Sequence, residues 1–274
     1  MVDLSKTLLG QSTEYIDQYS PALLHPLPRK AKRDELGIDS SLLPFSGVDI
    51  WTSYELSWLS PSGKPQVAIV EFAIPCGSAN IVESKSFKLY LNSLNQTAFD
   101  SADQLEKVLA KDLSKVVESK VDVRIIPLEQ SVGISAGNEG RTLIDLIDIN
   151  DVSYEVDSAL LSSTKGRRVE QKLVSHLLKT NCPVTGQPDW ASVLIDYAGD
   201  EIDHEGLLRY IISYRNHQDF HEQCVERIFI DIMEKCAPEK LTVYARYTRR
   251  GGLDINPLRT TEPSYSGNLR LSRQ

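Results

Sequence analysis

The hydrophobic pattern of this chain changes period twice, in the same order each time, and that repetition limits the available folds more than any other feature. Residues 50–59, with Trp51, Tyr54 and Trp58, read as a first strand, and a turn through 61–65 leads into the β-rich run QVAIVEFAI at 66–74. Around Glu83 the period shifts from two to about 3.6. Residues 86–96 then set Phe87, Tyr90, Leu91 and Leu94 at helical spacing, 103–117 form a second amphipathic helix, and 121–128 return to strand. From residue 150 the order recurs: strands at 172–178 and 191–197, a helix over 203–214, a helix over 222–236 and a closing strand at 241–247. The second of these helices carries Val225, Ile228, Phe229, Ile232, Met233 and Cys236 as one buried stripe.

Two copies of strand, strand, helix, helix, strand follow, each with an optional further strand, and with no obvious sequence identity between them. The predicted class is α+β, with antiparallel sheets and paired helices on one face of each. Residues 1–48, interrupted by Pro21, Pro26, Pro28 and Pro44, read as an N-terminal arm. Residues 49–149 and 150–274 read as the two modules, and 131–140, with three glycines, as a flexible loop.

Composition removes several classes of function. Thirty Lys and Arg against 38 Asp and Glu give a net charge of −8, so no general polyanion-binding field and no direct nucleic-acid partner are expected. No run approaches the roughly 18 apolar residues of a membrane span, and the start lacks a basic region followed by an apolar stretch, which predicts a cytoplasmic protein with no membrane partner. The four cysteines (Cys76, Cys182, Cys224, Cys236) are widely spaced without a CxxC pair, which suits reduced thiols. Five histidines without ligand spacing predict no metal, and no Rossmann, P-loop or HExxH motif is present.

Cys182 lies in NCPVTGQPDW at 181–190, a loop rich in turn formers that predicts an exposed thiol with Asp189 on the same loop. The alternative is a small half-buried filler with Asp189 capping a turn. Cys224 and Cys236 belong to a helix stripe and read as core. His221 and Glu222 open the last long helix on or beside its apolar face, where they either satisfy core polar groups or meet a ligand. A carboxylate such as Glu222 suits a guanine-like edge, because its two oxygens accept together from a ring N–H and an exocyclic amine; Glu83 is a second candidate, or else a solvent-facing carboxylate at a helix start. Lys85 and Ser86 enter a helix whose free N–H groups would make an anion site. Arg246, Arg249, Arg250, Gly251 and Gly252 offer guanidinium groups beside a glycine turn, apt for a phosphate or for a solvated strand end.

Taken together, ESKSFKLYLNSLNQT at 83–97, NCPVTGQPDW at 181–190, FHEQCVERI at 220–228 and YARYTRRGGLDINP at 244–257 resemble the QueF family, as do DIWTSYELSWL at 49–59 and VEQKLVSHLLKTN at 169–181. These are NADPH-dependent 7-cyano-7-deazaguanine reductases, the nitrile reductases of queuosine biosynthesis, here in the long form with two modules. The resemblance implies tandem tunnelling-fold modules and a homodimer. It implies Cys182 as the nucleophile that forms a covalent thioimide with the nitrile and Asp189 as proton donor. It assigns Glu83, Ser84, Lys85, His221 and Glu222 to the deazaguanine, and Lys85, Ser86, Arg250 and Gly251 to NADPH, of which two are used per nitrile. Two other readings are a pterin or purine cyclohydrolase of the same fold and a non-catalytic purine-binding module.

Overall fold

The computed structural model describes residues 15–130, 133–135, 140–262, 268 and 270–274. Part of the predicted 131–140 loop, at 131–132 and 136–139, lies outside the described residues. The chain forms two compact units, one of Met1–Leu43, Val48–Val132 and Arg249–Ile255, the other of Pro44–Gly47, Gly133–Thr248 and Asn256–Gln274.

In the first unit the proline-rich start carries short elements: a 3-10 turn at Pro21–Leu23, strand β1 (Pro26–Pro28) and helix α1 (Lys30–Glu35). Strands β2 (Ser46–Leu59) and β3 (Pro65–Pro75) form a hairpin, β4 (Asn80–Val82) pairs with β1, and helices α2 (Ser84–Asn92) and α3 (Ala102–Val117) precede β5 (Asp122–Ile126), which pairs with β3. All of these pairings are antiparallel. On β3 the alternate residues Ala68, Val70, Phe72 and Ile74 are buried, and the α3 stripe Leu105, Leu109, Leu113 and Val117 packs into the same core. Phe87 of α2 sits edge-on to both Trp51 (ring centroids 5.2 Å apart) and Phe72 (4.9 Å), locking helix to sheet.

The second unit contains β6 (Thr142–Leu143), β7 (Ser163–Asn181), β8 (Pro188–Ile202), α4 (His204–Ser213), α5 (His221–Cys236) and β9 (Lys240–Tyr247), and the Asn256–Thr260 part of β10 (Leu253–Thr260). Its strands lie in the order β10-β9-β8-β7-β6, antiparallel except for the short β6–β7 pair. The predicted α+β class, with antiparallel sheets and paired helices, is what the structure has. Two elements differ from expectation. Strand β7 is far longer than the predicted 172–178, because residues 164–168 are exposed and polar and show no alternation to read. Strand β10 takes the place of the optional last strand of the second copy, to which the pattern assigned no bounds because Pro257 interrupts it.

The units share a polar scaffold that is too sparse to register as sequence identity. In the first, the Glu83 carboxylate caps α2, the Tyr90 hydroxyl donates to Asp112 Oδ2 on α3 (2.7 Å), and Ser93 Oγ donates to the Tyr90 carbonyl (2.6 Å). In the second, Asp203 caps α4, Tyr210 donates to Asp231 Oδ2 on α5 (2.6 Å), and Ser213 Oγ donates to the Tyr210 carbonyl (2.6 Å). Burial, then the neighbouring carboxylate, pushes the phenol pKa of Tyr90 up, so the hydroxyl stays a donor; burial does the same for Tyr210.

In the second unit α5 is tied to β10 by a buried ion pair, with Arg259 Nη2 2.9 Å and Nε 3.2 Å from Glu226 Oε1, and the guanidinium lies over the Phe45 ring. Both side chains are almost wholly buried, so removing one partner strands the other charge. Glu226→Leu is therefore expected to lower the unfolding free energy by about 3–5 kcal/mol, and the double variant Glu226→Leu/Arg259→Met to recover most of that loss, both read from urea denaturation.

Candidate active site

The β7–β8 hairpin ends with Asn181 opposite Pro188, and the turn beyond it closes on Cys182. Cys182 N donates to Gln187 O (2.9 Å), and Gly186 N donates to Cys182 O (3.0 Å). Gly186 has φ +67, a conformation that a residue without Cβ adopts at little cost. A second segment docks on the strand end, since Asn181 N donates to His217 O (2.8 Å) and Asp219 N to Asn181 O (3.3 Å).

Cys182 is consequently only 3% exposed, against the exposed thiol expected from the loop composition: the turn closes on its own backbone and the 216–219 segment lies alongside. Asp189 is not on the loop either. It is the second residue of β8, opposite Thr180 and 3% exposed, because the turn is already complete at Gln187.

The 216–219 segment leads directly into α5, so the docking that covers Cys182 also delivers His221 and Glu222. His221 Nε2 lies 3.4 Å from Asp189 Oδ2. On its other side the imidazole stacks on Tyr247, with ring centroids 3.7 Å apart and planes 4° from parallel. Glu222, 2% exposed, sits in the first turn of α5, where the partial positive charge of the helix N-terminus favours a carboxylate. The residue before the helix, Phe220, has no side-chain acceptor; its own N–H is taken by Asp219 Oδ1 (3.0 Å) and Gln223 Oε1 (3.4 Å).

Cys224, one turn along α5, reports the charge around this cluster. Burial first, then the negative charges of Asp219, Asp189 and Glu222, hold its thiol pKa well above the ordinary range, and it stays a neutral core thiol as expected. The second core thiol, Cys236, is pushed up to about 11 by burial. The cluster thus joins a thiol, an imidazole and two buried carboxylates. These can attack an electrophilic carbon, move a proton, and accept N–H groups from a flat heterocycle.

In the first unit Glu83 is fully buried rather than solvent-facing, and its oxygens accept from Lys85 N (2.7 Å) and Ser86 N (2.8 Å). The expected anion site of free N–H groups at Lys85 and Ser86 is therefore already filled by the chain's own carboxylate. The Ser86 hydroxyl donates to Glu83 O (2.7 Å) and accepts from His25 N (3.1 Å), while Ser84 and Lys85 are half-buried.

Nor do the C-terminal arginines form one cluster. Arg246 is buried and bonded to Gln274, Tyr244 and Asn268, whereas Arg249 covers the Tyr54 ring at 4.9 Å. Arg250 starts a tight turn, with Arg250 N to Leu253 O at 3.0 Å, through Gly251 (φ +57) and Gly252 (φ +71). A Cβ on Gly252 would fall 2.2 Å from Glu55 Cδ, so any other residue would have to displace that side chain and adopt a strained positive φ. Gly251 lies against the Lys88 side chain at the wall of a cavity of about 640 Å³, lined also by Ser53, Glu55, Asn92 and Asn95. That volume and its mixed polar and apolar lining suit part of a dinucleotide.

Four predicted site residues, Cys182, Asp189, His221 and Glu222, thus lie in the second unit, and Glu83, Ser84, Lys85, Ser86, Arg250 and Gly251 lie in the first. Tyr247 and the cavity residues Glu55 and Lys88 escaped the sequence reading. The one signal for Tyr247 was its place at the end of a strand beside the arginine and glycine turn. Among the described residues no group of three or more His, Cys, Asp or Glu is arranged to hold a metal ion, and no helix is long and apolar enough to cross a membrane.

Comparison with known proteins identifies the chain's relatives. Residues 15–125 match the family model described as nitrile reductase, 7-cyano-7-deazaguanine-reductase N-term, and residues 188–265 match the QueF-like protein model. The chain is 55% identical over 267 residues to the NADPH-dependent 7-cyano-7-deazaguanine reductase of Dechloromonas aromatica (strain RCB), covering 97% of this chain and 94% of that one. Among solved structures it is similar to the archaeosine synthase QueF-Like in the apo form, at 15% identity and a TM-score of 0.32 over 37% of this chain and all of the other. Identity sustained over nearly the whole length, together with family models that match in both halves, shows that the chain belongs to the QueF family.

Proposed function

We propose that the protein reduces the nitrile of 7-cyano-7-deazaguanine to the primary amine 7-aminomethyl-7-deazaguanine, using two NADPH, in queuosine biosynthesis. The observation that carries this reading is the buried group of Cys182, Asp189, His221 and Glu222, assembled in a chain 55% identical to a reductase of that name.

Cys182 Sγ adds to the nitrile carbon. A C–S bond forms, one π bond of the nitrile breaks, and the nitrogen takes a proton to give a thioimide. Asp189, with His221 Nε2 3.4 Å away, holds and delivers that proton. NADPH, when bound, supplies a hydride to the thioimide carbon and a second to the imine left after the C–S bond breaks. Cys182 leaves as the thiolate, and the amine nitrogen acquires its protons through the same carboxylate and imidazole. The balance is one nitrile, two NADPH and two protons to one amine and two NADP⁺.

Glu222 accepts from the ring N–H and exocyclic amine of the deazaguanine. Glu83 keeps a second lone pair on each oxygen beyond its two capping bonds, and the family resemblance carries it, with Ser84 and Lys85, to the deazaguanine. The Lys85 side chain, Arg250 and Gly251 hold NADPH, with the cavity beside Gly251 as part of its seat, while Ser86, its N–H taken by Glu83 and its hydroxyl shared between Glu83 and His25, fixes the helix start beside them. The homodimer and the cytoplasmic location belong to the same proposal.

The deciding experiment is NADPH oxidation by the purified protein on addition of 7-cyano-7-deazaguanine, with the product identified by mass. Two NADPH per nitrile and the primary amine are expected; nitrile binding without oxidation would leave only a binding module. Intact-mass analysis of protein mixed with the nitrile alone should show one adduct per chain and none in Cys182→Ala, since Cys224 and Cys236 are held as buried neutral thiols. Asp189→Asn should bind the nitrile but form the adduct about 10²–10⁴-fold more slowly. Arg250→Ala should raise the KM for NADPH by about tenfold or more, the usual worth of a charge-assisted bond, and leave nitrile affinity unchanged.

A further inference from the structure

The backbone of Tyr247 is secured in an unusual way for the last residue of a strand. Strand β9 pairs regularly with β8 as far as Tyr247 opposite Ala191, but its pairing with β10 covers only residues 242–244 against 258–260. On the β10 edge the Tyr247 amide and carbonyl would be buried without ladder partners, and side chains take them instead. Asn256 Oδ1 accepts from Tyr247 N (3.1 Å), and Gln274 Nε2 donates to Tyr247 O (3.0 Å) and to Asn256 Oδ1 (2.8 Å). The Gln274 carboxamide oxygen accepts in turn from Arg246 Nε (2.9 Å) and Leu271 N (3.0 Å), so all its polar atoms are used. The ring so held is wholly buried and lies parallel to the His221 imidazole at 3.7 Å, with Asp189 Oδ2 on that imidazole's Nε2.

We infer that Tyr247 is a positioning residue of the nitrile reduction, a fixed ring that holds the His221 imidazole beside Asp189 and is itself fixed by the Asn256 and Gln274 amides. The inference rests on the proposed function for its readout. In-plane bonds leave an imidazole able to tilt out of its plane, and a stacked ring limits that tilt by covering one whole face. Proton delivery falls steeply with misplacement, of the order of 10²-fold for about 1 Å, so the rate depends on the stack while ground-state binding of the purine does not. The phenol hydroxyl, beside Thr180 and Cys224, is dispensable in this role; the ring is what His221 needs.

The test compares wild type with Tyr247→Phe, Tyr247→Leu and Gln274→Ala, measuring kcat and KM for 7-cyano-7-deazaguanine with NADPH, thermal melting, and the ring-proton NMR shifts of His221. Tyr247→Phe should stay within about threefold of wild-type kcat and keep the upfield ring-current shift of His221. Tyr247→Leu should lose about 100-fold in kcat with KM little changed, and lose that shift. Gln274→Ala, which leaves both rings intact, should melt as a folded protein and lose about tenfold in kcat. Wild-type kcat in a folded Tyr247→Leu overturns the inference. So does a Tyr247→Phe defect as large as that of Tyr247→Leu, or a loss confined to KM. If Tyr247→Leu does not fold, wild-type kcat in Gln274→Ala overturns it. Absence of reduction by the wild type itself would instead refute the proposed function, and the His221 shift would still report on the stack.

Discussion

A buried backbone group without a partner costs more than almost any other local defect, and the candidate site is built where this cost is greatest, at the ends of hydrogen-bond ladders. Strand β7 stops at Asn181, whose amide and carbonyl are met by His217 and Asp219. Strand β9 stops at Tyr247, whose amide and carbonyl are met by Asn256 and Gln274. Both solutions bring remote chain to the same place. The first carries the start of α5 up to the β7–β8 turn, and the second fixes the ring on which His221 lies. Satisfying the main chain and assembling the cluster are thus one structural event.

The same constraint explains what could and could not be read from the sequence. Elements whose burial alternates or follows a helical stripe were legible, because the pattern is the cause of the fold: the 66–74 run falls within β3, 103–117 nearly coincides with α3, and 222–236 falls within α5. The bounds of β10 and the exposed half of β7 were not, since one is held by the pairing of residues 258–260 and by the Asn256 side chain and the other has no buried face to betray it. Cys182, Asp189, His221 and Glu222 were singled out by residue type and by resemblance, but burial of Cys182 stood only as the half-buried alternative and that of Asp189 was not read at all. Loop composition describes a turn's own residues, and what covers this turn is a segment more than 30 positions away. Gln274 carries no local signal at all, because a side-chain amide is polar and ordinary until its four partners are known.

Buried charge sets the second condition. Asp189 and Glu222 are nearly inaccessible carboxylates, a state that persists only with compensation. Glu222 has the N-terminus of α5, and Asp189 has the imidazole of His221. The compensation differs from that of the Glu226–Arg259 pair, which joins two charged groups face to face in the core. A carboxylate stabilised by a helix end or by an imidazole keeps capacity to accept N–H groups or pass a proton, whereas a carboxylate bound to guanidinium is committed to structure.

The two units make this division visible because they carry the same scaffold and use one position differently. In each, an acidic residue caps the first helix, and a tyrosine hydroxyl ties that helix to an aspartate on the second. At the entry to the second helix they part. Ser101 caps α3 by accepting from Gln104 N (3.1 Å), so that helix start is closed by its own residue. Phe220 stands at the entry to α5 and offers no acceptor, and the turn it opens presents His221 and Glu222. A serine cap stabilises a helix by about 1 kcal/mol, an amount a packed domain can forgo at one position. In the second unit that stability is given up at the one helix entry that adjoins Asp189, leaving the helix's own field to act on Glu222 rather than on a cap.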